Sequence, residues 1–372
     1  MKICFLGHTL NDTVGGSVSY TEAIAGALAR AGNSVTIVGK MSPARDVKST
    51  IGSHIKYAHI CVSGKYAFFS WYIIFSLKVI WFFIRSGGFD VIHGIASRSL
   101  FAYLVHAIGW LTRTPIVYSV LSPADRVIRF PGIKHRIICV SKNVKNNQAG
   151  SGRVIPPGID LKKFSAARAD PLRKTGRVVV GTMGVATSYR NTSCFIKAIP
   201  IILREFPNVY FAAAIKPVCG DDTPLLAKSY ADIRNFIIKK GLESRVRIFG
   251  KVDAPRFLNS IDIFVYPMRT TRGSIDPPIA LIEALASGCC TVSSEIDGIP
   301  ELIKDMENGL LVKDNETDKP MAYAREVVKL LQDETLSRNI SSRGVKSVEG
   351  YDVEKITPEI LKVYEEVRRQ KR

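Results

Sequence analysis

The chain has no C-x-x-C pair, no cluster of His and Asp at metal-ligand spacing, and no G-x-G-x-x-G turn. The first two absences exclude zinc modules and dithiol redox sites, and the third excludes the usual dinucleotide fingerprint. The seven cysteines, Cys4, Cys61, Cys139, Cys194, Cys219, Cys289 and Cys290, are scattered, several of them in apolar runs, as expected of reduced core thiols in a cytosolic protein. There is no low-complexity tract and no repeat at a solenoid period. A secretion signal is not expected, because MKICFLGHTL runs into an Asn-Asp-Thr turn and a glycine pair and so reads as a first strand. Carboxylates are scarce in residues 1–150, with 5 Asp/Glu against 17 Lys/Arg, and the whole chain carries +19. Such a field favours anionic partners, either phosphate-bearing substrates or anionic lipid. No helix-turn-helix, zinc finger or aromatic RNA-binding signature accompanies it, so nucleic acid is not expected.

With 372 residues and 46% hydrophobic content, two ordinary cores are expected rather than one. Short β-rich runs alternate with helical segments, the mark of parallel α/β sheets. In the first half the strands are read at 2–7, 35–39, 90–94, 115–120 and 136–141, with a helix over Ser17–Arg30 that Gly32 terminates. A Pro-, Gly- and Lys/Arg-rich loop at about 160–176 separates these from strands at 177–183, 209–215, 245–250, 262–267 and 289–294. The expectation is two Rossmann-like domains facing an interdomain cleft: 1–165 binding acceptor and 166–350 binding donor. A final helix, 351–372, would pack back toward the first domain.

The run from Tyr66 to Ile84 approaches the length of a membrane span, but Lys78 interrupts it, and a single crossing would split one sheet across a bilayer. Two readings stand. One is a helix whose aromatics fill the core; the other is a helix lying in a membrane interface, where Trp71, Tyr72, Trp81 and nearby basic residues belong.

Two segments carry chemistry. Gly15 and Gly16 follow a strand and precede a helix, so backbone N–H groups could meet an anion there, although a plain turn has the same pattern. In SIDPPIALIEALASGCCTVSS, two prolines precede a helix that Gly288 ends. Glu283 reads as a first-turn residue, either a simple cap or a carboxylate taking hydrogen bonds from a ribose diol, with the N–H groups near Ile279 and Ala280 free for diphosphate. Glu301, in DGIPELIKD, reads as a cap.

These residues, in this order, resemble family 4 glycosyltransferases of the GT-B fold. The likeness runs through DTVGGSVSYTEAIAGALARAGNSVTIV, FDVIHG, IICVSKNV, VIPPGIDLKKF, FGKVDAPRFLNSIDIFVYP and IEALASGCCTVSSEIDGIPELIKDMENGLLV. It implies a retaining transferase in which Glu283 binds the donor ribose, Gly15 and Gly16 face donor phosphates, and Arg190 stands at the family's diphosphate-binding lysine. Four positions depart from the family: Val185 replaces an arginine of the phosphate clamp, Ile275 a glutamate, and Ile95 and Leu121 histidines. Asp276, next to Ile275, is expected to take the transferred sugar's hydroxyls, and His93 is the remaining acceptor-side candidate, or else a strand-end histidine.

The resulting expectation is a metal- and cofactor-independent enzyme, cytoplasmic and peripheral on the inner face of the cell membrane. It would move a sugar from a nucleotide-sugar to a lipid-linked, glycan or polysaccharide-precursor acceptor. The four departures keep a second reading open, a degenerate subunit that binds nucleotide sugar or a partner transferase without turnover. A hydrolysing nucleotide-sugar epimerase fits the pattern less well.

Overall fold

The computed structural model describes residues 1–7, 15–39, 55–60, 68–96, 99–127, 134–165, 178–215 and 224–370. Outside them lie the turn before Gly15, Tyr66 and Ala67 of the aromatic run, Cys61, Cys219 and most of the 160–176 loop. The chain divides into two compact units: Met1–Ile159 with Ser274–Asp276 and Tyr351–Arg372, and Asp160–Gly273 with Pro277–Gly350.

The first unit contains β1 (Lys2–Gly7), α1 (Gly16–Arg30), β2 (Ser34–Gly39), β3 (Ile55–His59), α2 (Phe68–Arg85), β4 (Val91–Ala96), α3 (Ser99–Thr112), β5 (Ile116–Val120), β6 (His135–Cys139), α4 (Lys142–Asn147) and β7 (Arg153–Val154). Its sheet has the order β3-β2-β1-β4-β5-β6-β7, with every pairing parallel. β1 is buried from Ile3 to Gly7 and β5 throughout, as continuous apolar runs covered on both faces should be. Gly32 stops α1 with φ +81, a conformation in which a side chain would strain the backbone.

The second unit contains α5 (Lys162–Ser165), β8 (Val179–Gly184), α6 (Thr192–Glu205), β9 (Tyr210–Ile215), α7 (Pro224–Lys239), β10 (Val246–Phe249), α8 (Ala254–Asn259), β11 (Ile263–Tyr266), α9 (Ile279–Ala286), β12 (Cys290–Ser294), α10 (Ile299–Leu302), β13 (Leu310–Val312), α11 (Pro320–Gln332) and α12 (Glu334–Ser347). Its strand order is β10-β9-β8-β11-β12-β13, again all parallel. Each sheet reverses its winding once, at β1/β4 and at β8/β11, and such reversals open a crevice at the strands' carboxyl ends.

The last helix, α13 (Val353–Arg369), belongs to the first unit. Its buried residues, Val353, Ile356, Ile360, Val363, Tyr364 and Val367, recur at helical spacing, and it packs on α1, β5 and β6. Ile159 and Val353 anchor its start through backbone bonds, Ile159 N to Tyr351 O at 2.9 Å and Val353 N to Ile159 O at 2.8 Å.

The aromatic run forms α2, whose Phe75, Val79 and Phe83 are buried. Among the described residues no helix is long and apolar enough to cross a membrane. The five described cysteines, Cys4, Cys139, Cys194, Cys289 and Cys290, are buried thiols.

Candidate active site

In the second unit, the β8/β11 crevice is bordered by the loop after β8 and by the end of β11. The loop begins at Gly184, whose φ is +155. A Cβ built there would sit 2.9 Å from Arg190 Nη1, so only glycine leaves the guanidinium its place. Arg190 lies beside the Tyr189 ring, 5.9 Å from its centroid, and its buried Nε has no hydrogen-bond partner. Tyr189 Oη donates to Gly273 O at 3.1 Å. Arg269 Nη1 donates to Ser188 O at 2.6 Å, and Asn191 Nδ2 donates to Thr317 O at 2.8 Å. The loop that carries Arg190 is thus held by its neighbours, while the guanidinium Nε is left over for something else.

Tyr266 ends β11 and is buried. Burial raises its phenol pKa; the Arg190 cation works against this, while Tyr189 and Glu283 add to it. Tyr266 therefore shares one electrostatic neighbourhood with Arg190, Tyr189 and Glu283. The sequence reading missed it, and missed Gly184. A tyrosine closing a buried strand at the carboxyl edge of the sheet was the available signal.

Glu283 departs from the expectation in one respect. Pro278 is the extended residue before α9 (φ −60, ψ 131), so the helix begins at Ile279 and has no acidic residue in its first turn. Glu283 sits a full turn further in, where the end charge of the helix has faded. It is 9% exposed, and among the described residues nothing is bonded to its carboxyl group. Burial raises its pKa from 4.5 to about 8. Ahead of it, Leu281 N bonds Pro278 O at 3.0 Å, whereas the N–H groups of Ile279 and Ala280 find no backbone acceptor among the described residues. A buried carboxyl group, the unpartnered Nε of a guanidinium and a helix start thus belong to one unit. That set can receive hydroxyl donors and phosphate oxygens.

The first unit holds the other candidates. Gly15 precedes α1 in ordinary extended geometry (φ −149) and, as glycine, has no side chain with which to cap the helix. A Cβ on Gly16 would lie 3.3 Å from Ile275 Cδ1, so the isoleucine found in place of a family glutamate packs against this turn. Asp276 differs from its expected role. Its side chain is fully buried, and Oδ2 accepts from Ser141 Oγ at 3.1 Å and from Asn143 Nδ2 at 2.7 Å, while its N–H bonds Leu121 O at 2.9 Å. Those bonds fasten residues 274–276 to the first unit and give Oδ2 a structural role. Asp276→Ala is expected to cost about 1–3 kcal/mol by stranding the Ser141 and Asn143 donors. Thermal unfolding of donor-free protein checks this, because a purely sugar-binding carboxylate would leave that melting point unmoved.

His93 also departs from a catalytic role. It is 0% exposed and stacks on Phe5 at 4.7 Å. Nε2 bonds Ser119 Oγ at 2.7 Å, Nδ1 bonds Tyr364 Oη, and Tyr20 Oη bonds the same serine at 2.9 Å. Burial lowers its pKa to about 3, leaving a neutral core imidazole with both nitrogens engaged. Ile95 and Leu121 are buried apolar residues. Among the described residues no group of three or more His, Cys, Asp or Glu side chains is placed to hold a metal.

Comparison with known proteins bears on the family and the fold. The model of Glycosyltransferase Family 4 matches residues 14–163 and that of Glycosyl transferases group 1 matches 177–333, together most of the chain. The phosphatidyl-myo-inositol mannosyltransferase of Mycobacterium tuberculosis strain H37Rv is 26% identical over 219 residues, 57% of this chain and 53% of that protein. This chain thus aligns over about half the length of that relative. The Mycolicibacterium smegmatis protein of the same name is 24% identical over 373 residues, covering 96% of this chain and 91% of its own. Among solved structures, Anabaena HepE in complex with UDP and glucose superimposes with a TM-score of 0.75 at 16% identity, covering 98% of this chain and 99% of that one. The chain belongs to the family 4 glycosyltransferases and has their GT-B fold of two Rossmann-like domains.

Proposed function

We propose that this protein is a retaining glycosyltransferase that moves a sugar from a nucleotide-sugar donor to a lipid-linked, glycan or polysaccharide-precursor acceptor at the cytoplasmic face of the membrane. The observation that carries the reading is the buried, unpartnered carboxyl of Glu283 in one neighbourhood with the unpartnered Nε of Arg190. Buried polar groups are normally satisfied, and two left open together mark a place prepared for a polar ligand. A ribose diol supplies donors for Glu283, and a diphosphate supplies acceptors for Arg190 and for the N–H groups of Ile279 and Ala280. In the first unit, the start of α1 at Gly15 and Gly16 offers backbone N–H groups to an anion. The UDP and glucose held by the Anabaena structure, and the phosphatidylinositol in the names of the mycobacterial relatives, support this donor class and a lipid-borne acceptor.

In the proposed reaction, the bond from the anomeric carbon to the diphosphate oxygen breaks while the acceptor oxygen bonds the same face of that carbon. The acceptor proton passes to the departing diphosphate. No protein nucleophile is needed, and Arg190 with the α9 N–H groups stabilises the charge that develops on the leaving group. We assign no metal to this step. Asp276 acts as a positioning residue and His93 takes no part.

The test incubates purified protein with a panel of UDP-, GDP- and ADP-sugars and membrane extract, and scores sugar transfer. Transfer by the wild type that disappears in Glu283→Ala supports the enzyme. Tight donor binding without transfer or hydrolysis across the panel would instead favour a degenerate subunit, the reading that Ile275 against Gly16 and Val185 keep in view.

A further inference from the structure

The helix α2 is apolar on two opposite faces. Phe75, Val79 and Phe83 are buried on one, while Ile73, Leu77, Trp81 and Ile84 form a stripe on the other, with Leu77 61%, Trp81 59% and Ile84 71% exposed. Its neighbour α3 repeats the pattern: Phe101, Leu104, Val105 and Ile108 are buried, and Tyr103, Trp110 and Leu111 face solvent, Trp110 at 68%. Seven large apolar side chains on two packed helices expose on the order of several hundred Å², comparable to or above the largest patch of an ordinary monomer. The rim is cationic. Lys78 and Arg85 border the α2 stripe, Arg113 follows the end of α3, and neither helix contains a carboxylate. Arg85 lies over the Trp81 ring, 4.4 Å from its centroid.

We infer that the α2–α3 face docks on an anionic bilayer surface. Tryptophan and tyrosine place an apolar body and a polar edge on either side of a headgroup boundary, and Lys and Arg beside them meet lipid phosphate. A second copy of the chain is a poorer occupant, because a symmetric pairing of this face would bring Lys78, Arg85 and Arg113 of both copies together with no acidic residue on α2 or α3 to offset them. The inference rests on the first unit alone, so its failure would leave the transferase reading intact.

All three tryptophans of the chain lie in α2 and α3, and Trp81 and Trp110 are exposed on this face, so intrinsic fluorescence responds to its burial. Full-length protein is mixed with phosphatidylcholine vesicles, or with vesicles of equal phosphatidylcholine and phosphatidylglycerol, and floated on a density gradient while the tryptophan emission is followed. The expected result is flotation with the anionic vesicles only, an emission shift to the blue, and weakening of both at high salt. The triple variant Leu77→Ser, Trp81→Ser, Trp110→Ser is expected to lose about tenfold or more in partitioning, with an unchanged melting curve because these side chains are exposed. Lys78→Ala with Arg85→Ala and Arg113→Ala, which keeps every tryptophan, is expected to lose the preference for anionic vesicles. Absence of flotation overturns the inference, as does flotation that the triple variant retains. Concentration-dependent self-association abolished by the same triple variant, without vesicle binding, would give the face to a second copy instead.

Discussion

Glu283→Gln is expected to melt at a higher temperature than the wild type above pH 7 and to use its donor far less well. The folded protein holds the Glu283 carboxyl at about 8 by burial, against 4.5 in the unfolded chain. A group whose pKa is raised by folding leaves stability intact below the unfolded value. Stability is then lost as pH climbs, here from about 4.5 to about 8, at close to 1.4 kcal/mol per unit, and is level above that. Glutamine does not ionise, so the variant escapes this loss, less about 1–3 kcal/mol for an amide buried without a partner. The net gain at pH 8.5 is on the order of 2–4 kcal/mol, or several degrees in a protein of this size. Melting curves from pH 5 to 9 check it: the gap between variant and wild type should open with rising pH, and a constant gap would mean that Glu283 titrates like an exposed glutamate. The same substitution should raise the donor KM by about 10- to 100-fold, the worth of one or two hydrogen bonds to a charged acceptor. In the wild type, donor affinity should improve as pH rises toward 8, where the carboxyl becomes the ionised acceptor. A stabilising change that disables the protein is what a site kept ready for a ligand predicts.

Arg190→Met is expected to lower kcat by about 10²- to 10³-fold, as removal of a prearranged charge stabiliser at a leaving group does elsewhere. Arg190→Lys should recover only part of this, since an ammonium lacks the planar fork. Gly184→Val provides an independent route to the same defect. Its Cβ would stand 2.9 Å from Nη1, displacing the guanidinium while leaving the charge in the protein. Steady-state kinetics with the best donor of the panel separates the outcomes: a fall in kcat for both Arg190→Met and Gly184→Val supports the leaving-group role. A rise in KM alone would make Arg190 a ground-state anchor.

The architecture was largely legible because parallel strands buried on both faces appear as unbroken apolar runs. RVVVGTM, VYFAAAI and DIFVYP were placed within one or two residues of β8, β9 and β11. The strands that escaped notice carry little such signal. β7 has two residues, β13 has three, and β3, at the edge of its sheet, carries Lys56, Tyr57 and His59. In the site, the identities of Glu283 and Arg190 could be read, but their physical state could not. Glu283 reads as a first-turn residue in the sequence, whereas α9 begins a full turn ahead of it at Ile279 and the dominant influence on the carboxyl is burial. Asp276 was given to the sugar on adjacency to Ile275, yet its partners, Ser141 and Asn143, stand more than 130 residues away in sequence. His93 likewise finds Tyr364 across 271 residues. Long-range pairings of this kind decide whether a polar side chain is available to a ligand, and no local pattern announces them.

The return of α13 to the first unit bears on how the molecule is made. Residues 353–369 supply Ile360, Val363, Tyr364 and Val367 to a core otherwise assembled mainly from the first 159 residues, and Tyr364 completes the hydrogen bonds of His93. During synthesis the second unit is therefore able to close while the earlier one still waits for its last helix, the reverse of the usual amino-to-carboxyl order. Until then the N-terminal sheet keeps an apolar groove uncovered along α1, β5 and β6, the stage at which a nascent chain of this design depends most on holdase protection.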